Sequence, residues 1–466
     1  MSVPEWIQDA VFYQIFPDRF YNGDPENDPP NVQPWGSVPT SWGFQGGDLK
    51  GILQKFDYLL DLGINAIYLN PIFQATSTHR YNTTDYYKID PKLGSLDDFH
   101  ALIAHAHRNQ VRIILDGVFN HCGRGFFAFN DVLENQEYSA YRDWFHIKNY
   151  PVIAYTSGEA TDYLGWWKMK SLPKFNTNNP KVRKYLMEVA RYWIEQGADG
   201  WRLDVANEIN DDSFWEEFRN VVKTVNSEAY ILGEIWSADS RWVGDGHFDG
   251  LMNYPVMEAL VGLLLSNTLN IPQFAEKVEG YLSYYRSENA NAMYVPVGSH
   301  DTARILTRMG NNVDKAKLAY LFQFAYPGAP AIYYGDEIGL TGGKDPGCRG
   351  AFVWDEIRWN TEFRNFIKTL IQLRKQHYAL RRGEYIRVDK NSNPACYAFV
   401  RKAKDDQVLV ILNASGMDQW IIIGTDGIGW EDRRKLIDLI NPSKQFIVTK
   451  HAIEIKLPAW GGTWLA

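Results

Sequence analysis

Short apolar runs rich in Val, Ile, Leu and Tyr recur through the first three quarters of the chain. Between them lie longer stretches whose apolar positions repeat at helical spacing. Eight runs read as strands: VFYQIF from Val11, INAIYLN from Ile64, RIILDGV from Arg112, GWRLDV from Gly200, YILGEIW from Tyr230, GLMNYP from Gly250, MYVPVGSH from Met293 and AIYYGDEIG from Ala331. Strands alternating with helices predict a parallel sheet with crossover helices, and eight is the number that closes a (β/α)8 TIM barrel. The clearest helix starts at Asn179-Pro180, a capping residue followed by proline at the first helical position. Val182, Leu186, Val189 and Trp193 give it one apolar stripe, and Gly197 is its predicted stop.

Two stretches depart from a plain barrel. The segment 122–178 is too long for a βα loop and is expected to form a subdomain inserted after strand 3. From residue 383 the pattern changes to short strands (EYIRV, ACYAFVRK, VLVILNAS, FIVT, AIEIKL) separated by turn residues. These predict a C-terminal antiparallel β-sandwich. The expected organisation is an α/β barrel over 1–121 and 179–382, an inserted subdomain over 122–178, and a sandwich over 383–466.

Composition narrows the class. The net charge of −8 gives no electrostatic footprint for nucleic acid or an anionic membrane. No run approaches the length of a membrane span. The segment from Met1 carries Glu5 and Asp9 where a signal peptide needs basic and then apolar residues. Three cysteines, Cys122, Cys348 and Cys396, cannot all pair, so a reducing, cytoplasmic setting is expected. Aromatic residues make up 15% of the chain, which suits either a large core or surfaces that stack on sugar rings.

In a barrel the chemistry sits at the C-terminal ends of the strands. Four predicted strands end in acidic or histidine-bearing motifs: DGVFNH (Asp116–His121), GWRLDVANE (Gly200–Glu208), GEIW (Gly233–Trp236) and GSHD (Gly298–Asp301). Arg202 and Asp204 are two apart on one strand and share a face. The guanidinium is therefore expected to keep Asp204 ionised, as a nucleophile at an anomeric carbon needs. Glu234 places a second carboxyl nearby. A retaining glycosidase needs such a pair about 5–5.5 Å apart, one attacking and one protonating the leaving oxygen. Asp301 adds a third carboxyl, and crowding raises the pKa of one member. His121 and His300 are candidate donors to sugar hydroxyls. Singly, each acidic residue reads more readily as a helix cap or a rim charge, and a His-Asp pair as a structural hydrogen bond; the coincidence on four strand ends is what points to a site.

These motifs, with the opening FYQIFPDRF, resemble the α-amylase family, glycoside hydrolase family thirteen, over essentially the whole chain. The resemblance implies Asp204 as nucleophile, Glu234 as acid/base and Asp301 as transition-state stabiliser. It also implies that Asp116 and Arg202 support the nucleophile and that Tyr81 stacks on the sugar at the cleavage point. VANE (Val205–Glu208, with Asn207 and Glu208 as substrate contacts), LPKFN (Leu172–Asn176) and DPGCR (Asp345–Arg349) resemble the cyclomaltodextrinase, neopullulanase and maltogenic amylase group. There Asp345 and Arg349 would bind substrate, and Trp236 would be a platform on the leaving-group side. Leu172, Phe175 and Ser237 depart from the group's usual residues. Members of the group normally carry an N-terminal β-domain that covers the partner's site in a dimer. Here the first strand lies close to Met1, which leaves monomer and homodimer both open.

Expected activity is hydrolysis of α-1,4 bonds in maltodextrins and in cyclic or branched maltooligosaccharides, with transglycosylation alongside. The alternatives are an α-1,6-directed glucosidase, a 4-α-glucanotransferase, or an inactive carbohydrate-binding relative. LPKFN argues against the oligo-1,6-glucosidases, and the surviving three carboxyls argue against inactivity. Finally, Asn22, Asp24, Asn27 and Asp28, with Gly46 and Asp48, gather oxygen donors of the kind calcium prefers. Taken alone they read as an Asx-rich turn; the resemblance implies a structural calcium ion.

Overall fold

The computed structural model describes residues 2–388, 393–425 and 427–466. Eight parallel strands lie where the apolar runs predict them: β1 (Phe12–Ile15), β2 (Ala66–Leu69), β3 (Arg112–Gly117), β4 (Gly200–Leu203), β5 (Tyr230–Gly233), β6 (Gly250–Leu251), β7 (Tyr294–Pro296) and β8 (Ala329–Tyr333). They pair in the order β6-β5-β4-β3-β2-β1-β8-β7, and a parallel bridge from Met252 to Tyr294 closes the ring.

Alternate residues of each strand go to different cores, as a period of two requires. Phe12, Ala66, Tyr68, Ile114, Tyr230, Leu232 and Tyr294 form one buried cluster inside the barrel, with Trp6 packed against it. Tyr13, Ile15, Ile67, Leu69, Ile113 and Leu115 join the larger core beneath the helices. The helix Pro180–Glu195 starts on Asn179, whose side chain accepts the Lys181 N–H. Its stripe of Val182, Leu186, Val189 and Trp193 is buried, and Gly197 turns the chain at φ 104°. Truncating Trp193 to alanine would cost about 3–5 kcal/mol.

Strand β6 is shorter than its apolar run. Only two residues are strand, because Asn253 caps a helix over Tyr254–Leu264 and Pro255 fits its first turn. The fifth crossover, from β5 to β6, contains a 3-10 turn (Ser240–Trp242) and no α-helix among its residues.

The excursion 122–178 carries a helix (Phe127–Asn135), short 3-10 turns and isolated antiparallel bridges. One bridge, His121 to Lys174, ties its far end back to the mouth of the barrel, and another, Phe145 to Phe175, holds the segment together. Beyond residue 383 a four-stranded antiparallel sheet is accompanied by two two-stranded antiparallel ladders. Ala398, Val400, Leu409 and Ile411 on one face of that sheet meet Ile421, Ile423, Ile453 and Ile455. Tyr397, Phe399, Val410 and Leu412 on its other face join the barrel core. The strands Gln419–Gly424, Lys435–Ile437 and Gly462–Leu465 are additions to the runs picked out by pattern. All three cysteines are buried, and no helix of the described residues is long and apolar enough to cross a membrane.

Candidate active site

The interior parity that puts Ile114, Gly200 and Leu232 inside the barrel continues upward to Asp116, Arg202, Asp204 and Glu234. Ladder register then sets these residues side by side. Asp116 pairs with Arg202, the Asp204 N–H donates to Gly117 O, and the Glu234 N–H donates to Leu203 O. The fully buried Arg202 guanidinium joins the three carboxyls. Its Nη1 lies 2.7 Å from Asp116 Oδ1 and 3.1 Å from Asp204 Oδ1, and its Nη2 lies 2.9 Å from Glu234 Oε2. Val205 takes a left-handed conformation, φ 39°, that is costly for a β-branched residue. In return its N–H donates to Glu234 Oε2 at 2.8 Å. The other carboxylate oxygen accepts from Trp236 Nε1 at 3.2 Å.

Opposite stands the HD pair. Gln14 Nε2 can only donate, so His300 Nδ1 accepts it at 2.8 Å and the ring proton sits on Nε2. That proton faces Tyr81 Oη at 2.7 Å and Asp301 Oδ2 at 3.0 Å. Tyr81 in turn donates to Asp116 Oδ2 at 2.7 Å and accepts from Asn70 Nδ2 at 3.0 Å. Its ring lies parallel to that of His300, with centroids 5.5 Å apart. Asp301 is also held by Arg349 Nη2 at 3.1 Å, and Arg349 Nη1 reaches Asp345 at 3.1 Å. The DPGCR segment therefore meets the third carboxyl directly.

The remaining predicted residues take different positions. Trp236 is half exposed, with one face stacked on Tyr254 at 3.9 Å and the other open. Glu208 is exposed; its backbone O accepts from Lys174 Nζ at 2.8 Å, which joins VANE to LPKFN. Asn207 is exposed beside it. His121 is buried with both nitrogens used by protein. Nδ1 accepts from Asn120, and Nε2 donates to Tyr81 O at 3.1 Å. It braces Tyr81 in this structure and offers no spare donor.

Electrostatics correct one expectation. Burial, with the carboxyls of Glu234, Asp116 and Asp301 added, pushes the Asp204 carboxyl well above its usual range against the pull of Arg202. Counting the guanidinium alone had favoured a plainly ionised Asp204. Burial likewise raises Asp116 despite Arg202, and burial plus Glu234 raises Asp301 to about 7. Asp116, Asp204 and Asp301 therefore hold their protons more readily than free carboxyls do. Burial, with Arg349 and Arg202 nearby, drives His300 well below its usual value and keeps it neutral.

Gln14, Tyr68, Asn70 and Tyr254 complete the site and were absent from the sequence-derived set. Tyr68 donates to Asp116 Oδ2 at 2.5 Å. The available signal was a polar or hydroxyl side chain at an interior-parity position inside an otherwise apolar run.

The oxygen-rich loop has another character. Asn22 Nδ2 donates to Asp28 Oδ2 at 2.9 Å, while Asn22 Oδ1 and Asp28 Oδ1 are buried without a partner. Gly46 has φ 83°, and a Cβ there would fall 2.2 Å from Asp28 Oδ1. Two orphaned oxygens and a cradle closed to any side chain fit a bound cation. Asp48 is engaged otherwise, since it caps a helix and accepts from the N–H groups of Gly51, Gly23 and Asp24. Asp24 pairs with Lys50. Asn27 lies within reach of Asp48. Among the described residues no three His, Cys, Asp or Glu side chains gather as a metal cage, so a cation here would depend on amide and backbone oxygens as well.

Residues 14–361 match the family model for the α-amylase catalytic domain. The chain is 43% identical over 464 residues to a cyclomaltodextrinase of Geobacillus thermopakistaniensis, covering 99% of this chain and 77% of that one. It is 44% identical over 427 residues to neopullulanase 2 of Thermoactinomyces vulgaris, covering 91% and 72%. Among solved structures, cyclic α-maltosyl-(1→6)-maltose hydrolase from Arthrobacter globiformis in complex with cyclic α-maltosyl-(1→6)-maltose superposes with a TM-score of 0.90, at 40% identity and with full coverage of both chains.

Proposed function

The chain belongs to the α-amylase family of glycoside hydrolases, and from that premise we propose a retaining hydrolase that opens α-1,4 bonds in linear, cyclic and branched maltooligosaccharides. The observation that carries the mechanism is Arg202, whose adjacent nitrogens hold Asp204 and Glu234. Tethering to one guanidinium supports the close spacing of a retaining pair, about 5–5.5 Å. Asp204 attacks the anomeric carbon while Glu234 gives its proton to the departing oxygen, so the glycosidic C–O bond breaks as a glucosyl ester forms. Water, losing its proton to Glu234, then attacks the same carbon and frees Asp204, with the α configuration restored. A sugar hydroxyl in place of that water gives transglycosylation.

Asp301, fixed by Arg349 and His300, faces the ring hydroxyls where charge develops. The open face of Trp236 suits the leaving-group sugar. Two relatives are named for action on cyclic substrates, which supports cyclic glucans among the substrates. Asn22 and Asp28, with the backbone at Gly46, would hold a calcium ion that braces the loop after β1, while Asp24, Asn27 and Asp48 tie the loop to its surroundings. An odd number of cysteines, all buried, supports a cytoplasmic setting.

Reducing-end release from cyclodextrin, panose and soluble starch tests the proposal. Asp204→Asn is expected to abolish release on all three with the melting temperature retained. Wild-type turnover by that variant would overturn the assignment.

A further inference from the structure

The tip of the inserted segment, residues 165–169, is built under strain. Trp167 and Lys168 adopt φ 48° and φ 59°, a conformation that costs about 1–2 kcal/mol per L-residue. Gly165 admits no side chain, since a Cβ would fall 2.2 Å from Met169 O. Hydrogen bonds from Lys168 N to Gly165 O and from Met169 N to Trp166 O, each 2.9 Å, hold the tight turn.

That strain sets a ladder of flat rings. Trp166 lies parallel to His121 with centroids 5.2 Å apart, and Trp167 lies on Trp166 at 4.4 Å and 13°. The ladder begins at a residue that braces Tyr81 and ends on an indole that is 73% exposed. The backbone behind it is anchored to the cleft, because Trp166 N donates to Leu172 O and Cys122 N donates to Pro173 O. Trp167 buries little, so packing does not explain why the chain holds it there.

We infer that Trp167 is an outer platform for glucose rings, on which the distal part of a long or cyclic α-glucan stacks while its scissile bond lies between Asp204 and Glu234. The inference rests on the proposed hydrolase reading. Its occupant follows from the ladder, which runs without a break from the sugar-binding mouth to the exposed ring. An aromatic face meets the apolar face of a sugar, while exposed Lys168 and Glu159, 3.1 Å apart beside it, offer polar groups to hydroxyls.

Trp167→Gly tests it, because glycine removes the ring and the strain together. With maltotriose, which places at most two rings beyond its scissile bond, kcat and KM are expected to stay closest to wild type. With maltoheptaose and longer maltodextrins KM is expected to rise about threefold to tenfold, the worth of one aromatic stack, with kcat unchanged. Trp167→Phe should recover most of that loss, and the melting temperature of Trp167→Gly should not fall. An unchanged KM for long chains would overturn the inference. So would an equal loss on maltotriose, which would make Trp167 a brace, or a dimer that dissociates in the variant, which would make the ring a contact between copies. Cleavage of maltotriose by the wild type checks the hydrolase reading separately.

Discussion

Arg202→Met removes one guanidinium from among three carboxyls and leaves them buried without a cation. Asp116, Asp204 and Glu234 lie 2.7, 3.1 and 2.9 Å from it. Taking one partner from a buried ion pair costs about 3–5 kcal/mol. Unfolding entropy of about 2.1 cal/mol/K per residue, over 466 residues, makes each kcal/mol worth about 1 °C. The expected drop in melting temperature is therefore about 3–5 °C. Its pH dependence carries the sharper test. Asp116 and Asp204 already sit above their usual range in the fold, and losing Arg202 raises them further. A carboxyl whose folded pKa exceeds its unfolded value binds its proton more tightly in the native state, so stability falls as pH rises between the two values. The deficit of Arg202→Met should thus grow from about pH 4 toward neutrality and shrink on acidification. Adding Asp116→Asn removes one uncompensated carboxyl and should restore part of the loss, a coupling of about 0.5–3 kcal/mol. Thermal melting of wild type, both single variants and the double variant across pH measures this. A deficit independent of pH, with no recovery in the double variant, would refute the view that Arg202 offsets these carboxyls.

Glu234→Gln should lose about 10²–10⁴-fold on maltooligosaccharides but far less on aryl glucosides during glycosylation, because a good leaving group needs no proton; parallel rates on the two substrate types check it. If calcium braces the loop after β1, EDTA should lower the melting temperature with little effect on activity at low temperature. A hundredfold excess of ion over its dissociation constant is worth about 2.7 kcal/mol. Gly46→Ala, which puts a Cβ against Asp28 at φ 83°, should abolish the EDTA effect, with elemental analysis as the direct readout.

The barrel was legible because alternation and helical spacing follow from which face of each strand and helix is buried. The carboxyls that converge on Arg202 were legible because several acidic strand ends coincide at one end of the barrel. Gln14 and Tyr68 escaped notice because one polar or hydroxyl group inside an apolar strand looks like a tolerated core residue until its partners converge. Strand β6 was overextended since pattern alone does not weigh Asn253 capping against strand propensity. The direction of the Asp204 shift depends on burial and on three carboxyls from other strands, and distant residues in sequence do not announce their proximity. The Trp166–Trp167 ladder depends on positive φ values, which tryptophan gives no reason to expect.

The central claim is double displacement through Asp204. Proton NMR during the first moments of maltooligosaccharide hydrolysis reads the anomeric configuration of the newly formed reducing end before mutarotation. The account predicts the α-anomer first, with β appearing only as the sugar equilibrates. Initial β-anomer would mean a single displacement by water and a carboxyl separation of roughly 6.5–9.5 Å, and the nucleophile assigned here would be wrong.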